Sequence, residues 1–276
     1  MSGKNTRDTF EAISLYLGDY MNDFAVKVLT APSGKTHLFS VGQAGFIIKS
    51  KSGQLLAIDL YLSDCVERIE GHDGFKRLLP KILSPYDLEL DVIIATHFHR
   101  DHFDIDIIPS LMSNGNTKLF ATEDCRDSVR QLEMTENNIT YVKPNETHIC
   151  GDFEIDFVSC DHGTGAPEAV GVMVKVDGKL LFETGDTCLR SDWVNDFKKH
   201  GRTDVLIAPI NGAFGNMNEQ DCADFANAID AQLTIPCHYG MFASHGGNVG
   251  KFYNIMKEQY PVRRFCVMAQ GEKLTI

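Results

Sequence analysis

The chain has 276 residues, enough for one large domain or two small ones, and its 43% hydrophobic and 23% charged content suits a globular protein with a sizeable core. Its 38 acidic against 26 basic residues leave a formal charge of −12, which repels a phosphate backbone and argues against generic nucleic-acid binding. No run of 18 apolar residues occurs and the N-terminus opens no apolar leader, so neither a spanning helix, a membrane partner nor an export signal is expected.

Phe10, Ile13, Leu17, Met21, Phe24 and Val28 recur at steps of three and four, which predicts a helical N-terminal segment within residues 1–30. The pattern then changes. Gly45-Phe-Ile-Ile-Lys reads as a strand, and further apolar runs predict strands at 55–60, 91–95, 118–121, 153–158, 170–176, 179–182, 205–210 and 233–236. Asp177-Gly178 between two of them is a hairpin signal. Helices are expected near 104–112, 124–134, 218–228 and 249–259. Strands mixed with surface helices imply two sheets packed together with helices outside, an α/β architecture. No repeat, low-complexity run or linker breaks the chain, so residues 1–276 are expected to form a single domain, with an insert at 60–90. The eight cysteines contain no CxxC pair, which removes zinc ribbons and thioredoxin-type chemistry. Free thiols in a reducing cytoplasm are expected.

Chemistry concentrates in Ala95-Thr96-His97-Phe98-His99-Arg100-Asp101-His102, at the end of the apolar run 91–95. Three imidazoles and a carboxylate within six residues converge only where a backbone leaves a strand and curls. His97 and His99, two apart, point to one side, and the following turn brings Asp101 and His102 to a second position. Nitrogen and oxygen donors of this kind suit zinc, manganese, iron or nickel. Other candidates sit in the same context, where an apolar run stops: His162 after 157–160, Asp186 after 180–182, His238 after 233–236. Alone, each is more often a turn or a satisfied core residue. Beside the first cluster, they read as ligands on one rim.

The order of these residues, with Asp59 after the second strand, resembles the metallo-β-lactamase superfamily. Within it, the chain is similar to the ascorbate-6-phosphate lactonase branch through Val41-Gly-Gln-Ala-Gly-Phe, the string 95–104 and Ile235-Pro-Cys-His. The resemblance implies a metallo-β-lactamase-like αββα sandwich and two divalent metal ions per chain, manganese or zinc. His97, His99 and His162 would hold the first; Asp101, His102 and His238 the second, with Asp186 bridging and Asp59 hydrogen-bonded to the ligand loop. It also implies a homo-oligomer acting on a small-molecule substrate.

Paired cations would lower the pKa of a shared water toward about 7, and that hydroxide would attack a carbonyl or phosphorus, with Asp101 orienting it. On the substrate side, the loop holding Asn211 and Asn216 and the loop holding Tyr239 and His245 should open on the same rim. His245 is a candidate to protonate a leaving group. Arg68, Lys76 and Arg77 in the insert are candidates for the counter-charge of a substrate phosphate, as are Arg100 and Arg190. The expected reaction is opening of a small sugar lactone, phosphorylated or not, or a related ester. A phosphodiesterase and an iron-dependent oxidoreductase are the alternatives on this fold. A non-catalytic binding module is disfavoured by the intact ligand set.

Overall fold

A computed structural model describes residues 22–276 of the protein. Phe10, Ile13, Leu17 and Met21 of the apolar stripe lie outside the described residues. Phe24 and Val28 lie within, buried on helix α1 (Asp23–Leu29). The Asn22 side chain caps that helix by accepting from Ala25 N at 2.8 Å. At its other end the Lys49 ammonium donates to the carbonyls of Val28, Leu29 and Ala31, at 2.9, 2.7 and 3.1 Å. Carbonyls at a helix's last turn run out of i+4 donors, and the buried lysine that meets them fastens α1 to the sheet beneath.

Two sheets follow. The first is ordered β13-β1-β2-β3-β4-β5-β6, from β1 (His37–Gly42), β2 (Gly45–Lys49), β3 (Leu55–Ile58), β4 (Val92–Ala95), β5 (Lys118–Thr122), β6 (Ile139–Val142) and β13 (Lys273–Thr275). The second is ordered β12-β11-β10-β9-β8-β7, from β7 (Glu146–Cys150), β8 (Phe153–Ser159), β9 (Val170–Val176), β10 (Lys179–Glu183), β11 (Val205–Pro209) and β12 (Leu233–Cys237). Each sheet is mixed: β3 to β6 run parallel, as do β10 to β12, and the remaining pairs are antiparallel.

Most strands are apolar on both faces because both faces are covered. Leu38, Phe46, Ile48, Leu56 and Ile94 of the first sheet meet Ile155, Phe157, Val172, Val174 and Ile207 of the second. The alternate residues of the first sheet, Phe39, Ile47, Ala57 and Ile93, pack outward under α1, α3 (Ile108–Leu111) and α4 (Arg126–Gln131). On the second sheet, Met173, Phe182 and Leu206 pack under α5 (Val194–Phe197), α6 (Glu219–Ile229) and α7 (Val249–Gln259). The layers are therefore helix, sheet, sheet, helix, the αββα sandwich expected.

The Asp177-Gly178 hairpin forms, with φ of 55° and 80° and Val176 facing Lys179. The expected helix at 104–112 shrinks to α3, because Asp104 accepts from Leu62 N, Ser63 N and Asp106 N and so holds its segment in a turn. The one expected at 124–134 shortens to α4 after a single 3-10 turn. In the insert, α2 (Cys65–Glu70) leads into a kinked turn at His72–Phe75. That turn hooks over the rim: Ser244 N donates to Gly74 O and Leu78 N to Met241 O, both at 2.9 Å. All eight cysteines are free thiols. No helix among the described residues is long and apolar enough to cross a membrane.

Candidate metal centre

Strand β4 in the first sheet, and β8, β10 and β12, which point the same way in the second, deliver their C-terminal ends to one rim, and the candidate ligands sit there. His97 to His102 follow β4, His162 follows β8, Asp186 follows β10 and His238 follows β12. Gly185 has φ +65°, and a Cβ there would lie 2.7 Å from Val170 O, so the turn that aims Asp186 inward requires glycine. Asp59 and His238 themselves adopt positive φ, 48° and 60°. Backbone strain of this kind gathers where surrounding contacts enforce a functional geometry.

Two donor groups result. His97 Nε2 lies 2.9 Å from His99 Nδ1, which is 3.2 Å from His162 Nε2. Nitrogens bound tetrahedrally at about 2.0–2.1 Å would stand roughly 3.3 Å apart, close to this spacing. Asp101, His102 and His238 form the second group, with Asp101 Oδ2 at 3.7 Å from His102 Nε2 and 3.4 Å from His238 Nε2. Asp186 Oδ2 stands between the groups, 3.4 Å from His102 Nε2, 3.2 Å from His238 Nε2 and 3.8 Å from His162 Nε2.

The surroundings fix which atoms face inward. Asp59, fully buried, accepts from Thr96 N at 2.8 Å, from Thr96 Oγ1 at 2.7 Å and from His102 Nδ1 at 2.6 Å. His102 Nε2 is then the free nitrogen, buried without a hydrogen-bond partner among the described residues. A buried orphan nitrogen facing two carboxylates fits a cation ligand. Burial holds His97, His99 and His162 below the usual imidazole range, His162 down to about 4, so their lone pairs are free of protons near neutrality. Burial also opposes charge on His102 and His238, but Asp186 and the other nearby carboxylates outweigh it and raise both, His238 to about 9. Burial likewise disfavours ionised Asp101 and Asp186, yet His102 and His238 hold them well below the carboxylate range. The centre splits into a three-histidine group kept neutral by burial and a second group whose two carboxylates hold positive charge beside them.

Beside it opens a cavity of about 340 Å³, lined by His99, Asp101, His162 and Asp186 on one side. The rest of the lining is mostly apolar, Val66, Ile69, Phe75, Phe98, Phe214 and Phe242, together with His245, Arg100 and Glu70. Of the substrate-side candidates, His245 and Arg100 line it; Arg100 turns back to donate to Ser128 Oγ at 2.8 Å. Asn211 and Asn216 do not. Both are buried within their own loop, which offers Phe214 to the cavity instead. The Tyr239 hydroxyl donates to Met268 O at 2.7 Å, away from the cavity. The Arg68 guanidinium is exposed and paired with Asp106, and Lys76 is exposed outside the cavity wall. Arg190 is held by Asp161 and Asp192 over the Trp193 ring.

Arg77 is buried, donating to the carbonyls of Leu79, Tyr61 and Ser63 at 3.0, 3.1 and 3.3 Å. Its fork staples the insert to the strand end, which is a folding role. Arg77→Ala is expected to lower stability by about 1–3 kcal/mol through the carbonyls left unpaired, with no rise in KM for a phosphorylated lactone. Thermal denaturation and steady-state kinetics check this together.

Two site neighbours escaped the sequence reading. Gln43, on the β1–β2 turn, donates through Nε2 to Asp101 Oδ2 at 2.8 Å and lies 3.2 Å from the His238 ring nitrogens. Its only signal was the glycine-flanked string around it. Glu183 is buried behind the Asp186 turn and accepts from Gly185 N at 3.1 Å. Burial, then the charge of Asp59, pushes its carboxyl well above the usual range.

The family model described as the beta-lactamase superfamily domain matches residues 37–238. A UPF0173 metal-dependent hydrolase of Anaeromyxobacter dehalogenans is 27% identical over 247 residues, covering 84% of this chain and 85% of its own. The probable L-ascorbate-6-phosphate lactonase UlaG of Escherichia fergusonii is 22% identical over 272 residues, covering 82% and 75% respectively. Among solved structures, Igni18, a metallo hydrolase from the archaeon Ignicoccus hospitalis, superposes with a TM-score of 0.68 at 18% identity, over 88% of this chain and 98% of its own. At that identity the likeness is one of fold.

Proposed function

The chain belongs to the metallo-β-lactamase superfamily of metal-dependent hydrolases, and on that premise we propose that it opens a small carbonyl ester or lactone using two divalent cations, manganese or zinc. The observation that carries the reading is the position of Asp186, whose Oδ2 is within 3.8 Å of nitrogens from both donor groups. His97, His99 and His162 would hold one cation and Asp101, His102 and His238 the other, with Asp186 placed to serve both. When bound, such a pair supplies Lewis acidity, lowering the pKa of water toward about 7 and polarising the carbonyl.

The protein's own groups do the rest. Asp101, at the cavity floor and gripped by Gln43, orients the attacking water. Water adds its oxygen to the carbonyl carbon, the bond to the alkoxy oxygen breaks, and that oxygen takes a proton. The products are a carboxylate, a hydroxyl and one released proton. Burial beside His238 holds the His245 imidazole down to about 4, so near neutrality it serves as a hydrogen-bonding group on the leaving oxygen rather than as a standing cation. The ring faces the cavity while its Nδ1 lies 3.1 Å from Ser244 Oγ.

Elemental analysis of protein purified without chelators is expected to give about two divalent ions per chain. Chelation should abolish lactone hydrolysis, and manganese or zinc should restore it. Protein that binds no metal, or that hydrolyses bis-p-nitrophenyl phosphate and no lactone, would overturn the proposal.

A further inference from the structure

The wall facing the metal ligands is aromatic, and its most costly member is its most exposed. Phe214 is 58% exposed and has φ +55°. The other non-glycine residues at positive φ among the described residues are Gln43, Asp59, Glu133, Asn145, Asp177, Asp230 and His238. Polar side chains tolerate this region by bonding locally; a phenyl ring does not. A large apolar ring held exposed on a strained backbone is accounted for if a ligand covers it.

The neighbours supply the rest of such a site. Phe75 lies 6.3 Å from Phe214 and 6.2 Å from Phe242, ring centre to ring centre. The His245 ring sits among all three, at 4.9 Å from Phe214, 5.1 Å from Phe242 and 6.1 Å from Phe75, and stacks on His238 at 5.2 Å. These separations suit aromatic packing. The wall is preformed, since the Gly74–Ser244 and Leu78–Met241 backbone bonds tie the insert to the His245 loop. Arg68, Lys76 and Arg77, the cations that would hold a phosphate, are turned elsewhere. Among the described residues, Arg100 is the one lysine or arginine lining the cavity.

We infer that Phe75, Phe214 and Phe242 form a specificity pocket for an aromatic or branched-alkyl group on an uncharged ester or lactone. The inference rests on the hydrolase reading for its reaction and on the wall alone for its ligand. Dihydrocoumarin is a suitable substrate: water opens its acyl C–O bond to give a phenol, a carboxylate and a proton. With metal-loaded protein, kcat/KM for dihydrocoumarin should exceed that for γ-butyrolactone and for a phosphorylated sugar lactone. Phe214→Ala, at an exposed position that should not disturb folding, should lower the dihydrocoumarin value about 10- to 100-fold and the γ-butyrolactone value by less than about threefold. Phe75→Ala should act in the same direction.

A binding measurement separates the two readings. In β-tetralone a methylene replaces the ring oxygen of dihydrocoumarin, so it binds without being opened. Calorimetry should show it bound by the wild type and about tenfold weaker with Phe214→Ala. Binding without hydrolysis of any lactone would sink the hydrolase reading and keep the pocket. No binding of β-tetralone, equal losses on both lactones, or a preference for the phosphorylated lactone would overturn the pocket.

Discussion

Asp186→Ala should lower kcat/KM for lactone hydrolysis by about a thousandfold or more and reduce bound metal from about two ions per chain to about one. Among the residues grouped as candidate ligands, its carboxylate alone approaches nitrogens of both groups, at 3.2, 3.4 and 3.8 Å. Removing it leaves His97, His99 and His162 able to bind a cation, since that group needs no carboxylate. The second group loses more. Asp186 is the chief upward influence on the pKa of both His102 and His238, and without it Asp101 is the one carboxylate left facing the inward nitrogens of both rings, since Asp59 is engaged on the far side of His102 at Nδ1. Two cations held by one fewer anion repel each other more strongly, and the weaker site empties. The turn itself should survive, because Gly185 N still donates to Glu183. Circular dichroism should therefore be unchanged while metal content halves. A variant that keeps both ions and near-normal turnover would remove the bridging role.

How much of this was legible follows from where each residue's partner lies in the chain. His97 to His102 form one short string at a strand end, and the string is its own context. Asp59, His162, Asp186 and His238 each follow an apolar run, and strands that point the same way in a sheet place their C-terminal ends together, so a shared rim could be read from the pattern. The aromatic wall could not. Phe75, Phe214 and Phe242 meet only because the insert hooks over the His245 loop through two backbone bonds, and no periodicity encodes that approach. Arg77 failed for the same reason: a cation in an insert reads as surface, and only the tertiary fold buries it against carbonyls. Strands β1, β6, β7 and β13 escaped for another reason. β6 and β7 are short edge strands carrying polar residues, paired on one side, and their register is supplied by β5 and β8. β13 is three residues long and exists only against β1.

Asp59 offers the other large effect, and two substitutions separate its roles. Asp59→Ala deletes the acceptor for Thr96 N, Thr96 Oγ1 and His102 Nδ1 at a fully buried point. Each unpaired donor costs about 1–3 kcal/mol, and alanine is also less tolerant of the φ of 48° that aspartate adopts. This variant should be strongly destabilised and should lose metal with its fold. Asp59→Asn keeps the shape and one acceptor oxygen for Thr96 N. Its amide hydrogens would face His102 Nδ1, which must then accept. The imidazole proton moves to Nε2, the nitrogen that faces Asp101 and Asp186. A protonated nitrogen cannot bind a cation. The asparagine variant should therefore melt within a few degrees of wild type, yet bind the second ion about 10- to 100-fold more weakly and lose activity in proportion. Calorimetric unfolding with metal titration distinguishes the cases. If Asp59→Asn binds both ions as tightly as wild type, Asp59 acts as a packing element of the loop and does not set the His102 tautomer.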